Sequence, residues 1–153
     1  MNTMQWIKES LTPVAKHDSY LVELKIKNNL AFASLLRGEA QNAEFDTLIA
    51  MHNIVEALFR MGFGRDYSDC VIRGKAALLD VCRRWQQTGK AVCRAPELQA
   101  LRDLMELHDA QMEVVTVRDI EKARELALRE IANKKATVIK EPHAEHQFLP
   151  AAS

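Results

Sequence analysis

Residues 97–135 read ELQALRDLMELHDAQMEVVTVRDIEKARELALREIANKK, with no glycine or proline until Pro142. How this stretch folds decides the architecture. Leu98, Leu101, Met105, His108, Met112 and Val115 recur in alternating steps of three and four, the spacing of a packed helix seam. Pro96 and Glu97 open it, since proline is tolerated in a first helical turn. A single helix over 96–135 would be about 60 Å long, against about 30 Å for the 20-residue helices expected elsewhere. Its second half carries Ile120, Ala123, Ala127 and Ile131 on one side and would overhang a compact bundle. That stripe then needs a cover: the segment MQWIKESL (4–11), a second copy in a symmetric dimer, or another protein. The weak point is Val114, Val115, Thr116 and Val117, β-branched residues each ~0.5 kcal/mol poorer than alanine in a helix. A kink or a break into two helices at this cluster is the alternative. Glu125 with Arg129 and Glu130 with Lys134 have the i,i+4 spacing of a solvated face.

Working towards the N-terminus, YLVELKIKNNLAFASLLRG (20–38) places Leu24, Ala31 and Leu35 near one stripe and Ile26, Leu30 and Ala33 beside it. Thr3 or Thr12-Pro13 is a candidate start for this helix, and Gly38 is its stop. NAEFDTLIAMHNIVEALFRMG (42–62) has Asn42 as a capping candidate and Gly62 at its end. Its apolar residues surround the axis almost completely, which predicts the central, most buried helix. After GFGRDYSD, Asp66 or Ser68 caps a third helix running to about Gly89, with Val71, Gly74, Leu78, Val81 or Cys82, and Trp85 inward. TVIKEPHAEHQFLPAAS (137–153) lacks periodicity and reads as an extended tail. The expectation is an all-α, single-domain antiparallel bundle of four to five helices over residues 1–136, ending in a long C-terminal helix.

Length and charge bound the function. A chain of 153 residues is one ordinary domain, able to bury a core of its own. Lys plus Arg number 21 and Asp plus Glu 21, so no global field draws the chain to nucleic acid or anionic lipid. Three cysteines without C-x-x-C spacing suit reduced thiols in a cytoplasm, with no disulfide. No run of about 18 apolar residues appears, and the N-terminus lacks the pattern of a secretory signal.

Three constellations carry chemistry. His52 and Glu56 stand one helical turn apart, and His108 lies on a helix able to pack beside theirs, so the three are candidate metal ligands or a proton relay. Dinuclear carboxylate bundles use Glu-x-x-His pairs, which neither histidine has, and satisfied core imidazoles explain both positions; no cofactor is expected. Cys70, Cys82 and Cys93 read as small buried hydrophobes, with no histidine between 53 and 107 to act as a local base. Arg73, Arg83 and Arg84 form a basic face on the helix around residues 66–89, a candidate phosphate contact. Pairing of that face with the acidic residues Glu97, Asp103, Glu106, Asp109 and Glu113 of the next helix is the simpler account, in the absence of a helix-turn-helix pattern or interleaved aromatics. GFG at 62–64 lies between helices, where a dinucleotide fingerprint does not occur, and no phosphate-loop, zinc-protease or nucleophile-elbow motif is present.

The blocks NNLAFASLLRGEA, FDTLIAMHNIVEAL and ELQALRDLMELHDAQMEVVTVRDIEKA together resemble small uncharacterised helical proteins of proteobacterial prophages and plasmids. The resemblance spans residues 28–125 and implies a bacterial cytoplasmic setting and an accessory role in a mobile element, with no activity to transfer. The reading is a non-enzymatic protein–protein interaction or regulatory protein acting as a homodimer through Ile120, Ala123, Ala127 and Ile131, with a host or mobile-element protein as a further partner and no membrane. The alternative is a nucleic-acid-binding regulator using Arg73, Arg83 and Arg84, and a metal-dependent hydrolase through His52, Glu56 and His108 is third.

Overall fold

The structure, a computed structural model, describes residues 14–133. Within that span the chain is all-helical, with five helices and no strand: α1 Val14–Leu36, α2 Asn42–Arg60, α3 Ser68–Thr88, α4 Ala95–Val114 and α5 Val117–Ala132, with a 3-10 turn over Arg65–Tyr67. Thr3, Thr12-Pro13, the MQWIKESL segment and the proposed tail over 137–153 lie outside the described residues.

Glycines end the first two helices as their positions predict. Gly38 has φ +71° and Gly62 φ +107°, left-handed backbone that a side chain rarely adopts. After α1 the Gly38 N–H bonds Leu35 O at 3.0 Å and the Glu39 N–H bonds Ser34 O at 2.9 Å, and after α2 Gly62 and Phe63 repeat the pattern on Phe59 and Leu58. These paired bonds satisfy carbonyls that a helix end otherwise leaves orphaned. The start of α2 differs by one residue from expectation: Gln41, not Asn42, stands at the cap, and Glu44 reaches back to accept the Gln41 N–H at 2.8 Å.

α2 is the central helix and touches each of the other four. Phe45, Leu48, Val55 and Leu58 are fully buried along it. One cluster of the core gathers Phe45, Leu78, Val81, Trp85, Leu101 and Leu104 from α2, α3 and α4. The second gathers Ala57, Leu58, Met112, Val115, Ile120 and Ala123, from α2, α4, α5 and the turn before α5. Gly74 sets the approach of α3 to α4, because a Cβ there would lie 2.9 Å from the Leu104 Cβ. The expected inner face of α3 is buried at Val71, Gly74, Leu78, Val81, Cys82 and Trp85.

The long C-terminal helix does not form. α4 ends at Val114, Val115 and Thr116 take extended backbone with ψ 156° and 166°, and α5 starts anew at Val117. Two forces favour the break over a rod. Val115 turns inward and is buried in the second core cluster, a gain of about 1.5–3 kcal/mol for an aliphatic side chain of that size. Thr116 and Asp119 then form a reciprocal cap, with the Asp119 N–H donating to Thr116 Oγ1 at 3.2 Å and the Thr116 N–H donating to Asp119 Oδ2 at 2.8 Å. Thr-x-x-Asp is close to the capping-box pattern, so a local signal for the break stood in the sequence beside the β-branched run. Thr116→Ala is expected to lower stability by about 1 kcal/mol, read as a lower urea midpoint at unchanged slope. A midpoint within error of wild type would mean that this cap does not hold the turn.

The break changes the fate of the α5 stripe. Ile120, Ala123 and Ala127 are buried in the same chain, where α5 packs along α2, and Ile131 is half-buried. The stripe expected to need a second copy is therefore already covered, and it is not available as a dimer surface. Glu130 pairs with Arg60 of α2 at 2.7 Å, which pins the end of α5 to α2; its expected partner Lys134 lies outside the described residues.

Candidate functional site

The expected His52, Glu56 and His108 cluster does not assemble. His52 is buried and its Nε2 lies 3.3 Å from the Val71 carbonyl, to which an Nε2–H donates, so this imidazole ties α2 to α3. Glu56 instead pairs with Arg60 at 3.3 Å. His108 faces α1. Among the described residues no group of three His, Cys, Asp or Glu side chains is placed to hold a metal ion.

His108 sits in a polar seam between α1 and α4 in which Asn28 and Asn29 are the partners that sequence reasoning missed. Its Nε2 is 3.0 Å from the Asn28 amide nitrogen, and its Nδ1 is 3.1 Å from Asp109 Oδ1. The arrangement fixes the tautomer: the Asn28 N–H donates to Nε2, and Nδ1–H donates to the carboxylate. Asp109 Oδ1 also accepts from the Asn29 amide at 3.1 Å, and Asn29 donates back to Lys25 O at 2.9 Å. Lys25 extends the seam with an ion pair to Glu113 at 3.0 Å. A doublet NN inside an apolar-periodic helix was the available signal, since buried amides need partners.

Burial pushes the His108 imidazole below its ordinary range, and the hydrogen bond to Asp109 opposes this without overcoming it. His52 is lowered by the same cause, with its bond to Val71 as the leading opposing effect. An Asp–His pair can serve as a general base when its second nitrogen meets a nucleophile. Here Asn28 occupies that nitrogen, so the pair locks two helices together.

The thiols read the same way. Burial is the first cause raising Cys70, Cys82 and Cys93 above their usual range, which leaves them protonated at neutral pH.

Each arginine of the basic face is held by a carboxylate of the same chain. Arg73 bonds Asp69 at 2.7 Å and approaches Asp103 at 3.9 Å, and Arg83 bonds Asp80 at 3.2 Å. Arg84 forks onto Glu97 at 3.0 and 2.5 Å and donates to Val92 O at 2.6 Å, while Glu97 also accepts the Arg94 N–H at 2.8 Å. The Arg84 hydrogen bond holds the Glu97 carboxyl below the usual range. The contacts of Arg73 and Arg84 place the opposite charges of α3 and α4 edge to edge.

What lies open is apolar. Val22, Ile26 and Leu30 follow one another at four-residue steps on the outer side of α1, exposed by 52, 52 and 63 %. Of the two apolar stripes on this helix, Ala31 and Leu35 point into the core, and Ile26 and Leu30 face out. An open groove of about 410 Å³ runs beside the row between α1 and α2, with Ile26, Leu30, Ala31, Ala43 and Thr47 in its lining. A smaller cleft of about 230 Å³ separates α1 from α5, where Leu24, Ile54, Leu128, Lys27 and Arg124 line it. Exposed aliphatic residues in an unbroken row, rather than singly, are the mark of a contact surface. Comparison of the chain with protein-family models, curated proteins and solved structures finds no significant match.

Proposed function

We propose that this chain is a non-enzymatic protein–protein interaction module, a regulatory accessory protein of a bacterial mobile element, built as one antiparallel helical bundle. The row Val22, Ile26 and Leu30 carries the reading: three large aliphatic side chains more than half exposed on one helix face, beside an open groove. A helix laid into such a groove buries its own apolar face at anchors one turn apart. The accessory role follows from the resemblance of residues 28–125, and the cytoplasmic setting from three free cysteines, two of them buried. Among the described residues no helix is long and apolar enough to cross a membrane. Nucleic-acid binding through Arg73, Arg83 and Arg84 is the weaker reading, because a phosphate would have to displace Asp69, Asp80 and Glu97.

The test is affinity capture from the native host with two baits, the full chain and the variant Val22→Glu/Ile26→Glu/Leu30→Glu, with mass spectrometry and nucleic-acid detection on each eluate. A protein recovered by the first bait and lost from the second is the expected result. Nuclease-sensitive material recovered equally by both baits, with no protein partner, would replace this reading by nucleic-acid binding.

A further inference from the structure

The open row on α1 has a flank of charge that selects its partner. Glu23 and Lys27 stand one turn apart on the same side of Val22, Ile26 and Leu30, and both are exposed. Among the described residues Lys27 forms no ion pair, and Glu23 has only a 3.5 Å contact from the Ser19 hydroxyl. Two uncommitted opposite charges on one edge of an apolar row are complementary to the same surface turned end for end. From this juxtaposition we infer that the outer face of α1 pairs with α1 of a second copy of this chain, about a two-fold axis crossing the helix beside Ile26.

The geometry follows from the operator. An axis perpendicular to α1 reverses its direction and keeps each flank on its own side, so the two helices run antiparallel and like flanks face each other. Ile26 then meets its own counterpart, Val22 approaches the partner's Leu30, and Glu23 approaches the partner's Lys27, each contact occurring twice. A parallel arrangement, about an axis along the helices, would carry the Glu23 and Lys27 flanks of the two copies to opposite sides of the contact and forfeit both ion pairs. Nothing at longer range opposes the approach, because 21 basic and 21 acidic residues leave the chain without net charge. The inference gives the homodimer expected from the sequence a surface, in place of the α5 stripe that the chain itself covers. It rests on the reading of this row as a contact surface.

A contact of three aliphatic residues and two ion pairs lies at the small end of stable interfaces, so association in roughly the micromolar range is expected. Sedimentation equilibrium of the full chain from about 1 µM to about 500 µM brackets that range. The expected result is a monomer–dimer equilibrium that Ile26→Glu abolishes while leaving the far-UV circular dichroism unchanged. Glu23→Lys and Lys27→Glu are each expected to weaken the dimer by about fivefold or more, since each turns both attractive pairs into repulsive ones. An equimolar mixture of these two variants regains wild-type affinity as a heterodimer, because each variant now presents the charge that the other lacks. A partner of different sequence has no means of producing that recovery. A chain that stays monomeric across the range, a dimer indifferent to Ile26→Glu, or variants that do not rescue each other would overturn the inference. The outcome is separable from that of the capture experiment: a monomer that still captures a row-dependent partner removes the dimer and leaves the interaction reading in place. A dimer with rescue but no captured partner leaves self-association as the use of this face.

Discussion

Trp85→Ala is expected to lower the stability of this protein by about 3–5 kcal/mol, the largest effect of any single substitution considered. Trp85 is 3 % exposed near the end of α3 and stacks on Phe45 at the start of α2, with ring centroids 4.6 Å apart and planes at 28°. The stack joins two helices within the core cluster to which α1 and α4 also contribute, through Leu35 and Leu101. Removing the indole forfeits its transfer free energy, leaves a cavity, and loses an aromatic pairing worth about 0.5–1.5 kcal/mol beyond area. A single domain commonly has only about 5–15 kcal/mol in total, so the variant is expected to be marginal. Guanidinium unfolding followed by far-UV circular dichroism measures the loss. Fluorescence is less direct, because Trp6 also emits. Trp85→Phe keeps a ring on Phe45 and is expected to lose clearly less; equal losses for the two variants would show that the stack contributes nothing of its own.

Acidification is expected to give the second large effect, through His52 and His108. Both are buried and both are pushed below the ordinary 6.5, first by desolvation. In the unfolded chain each titrates near 6.5, so between that value and the lowered folded value the unfolded state binds more protons. The stabilisation is therefore fully present above pH 6.5 and is lost as the pH falls through the window below it. Each histidine contributes a slope of up to about 1.4 kcal/mol per pH unit within its window. Protonation also breaks a specific contact: a second N–H on His108 would point at the Asn28 amide nitrogen, donor against donor. Lys25, close enough to lower His108 further, opposes the new charge, and Asp109 favours it. Glu97 acts in a separate, more acidic window, because Arg84 holds it below 4.5 and its contribution vanishes only as the pH falls through that lowered value. Urea midpoints from pH 8 to pH 5, with imidazole titration by nuclear magnetic resonance, test the assignment. Folded His108 titrating at or above 6.5, or a midpoint flat across the window, would remove the two histidines as its cause.

The helical class, the centrality of α2 and the inward face of α3 were legible in the residues, because each depends on local periodicity. The apolar residues that nearly ring 42–62 put α2 at the centre, with Ala43, Asp46 and Ala50 left on its open side, and Gly38 and Gly62 could end helices because positive φ is a local property. The candidate site was much less legible. His108 announced itself as a polar residue in an apolar seam, but its partner Asn28 lies 80 positions away, as Asn29 does from Asp109. No spacing rule joins residues on different helices.

Two matters were settled only by tertiary packing. The first is the turn at Val115 and Thr116: a β-branched run is tolerable in a helix or in a turn, and the choice fell to the pocket that receives Val115 and lets Ile120 and Ala123 pack on α2. The second is which side of α1 faces water. Leu24, Ala31 and Leu35 form one stripe and Ile26, Leu30 and Ala33 lie beside it, both apolar enough to be core, yet Ile26 and Leu30 lie open together with Val22. A helix can present only part of its circumference to its neighbours, so the stripe that α2 and α4 did not take was left outside, where another surface can meet it.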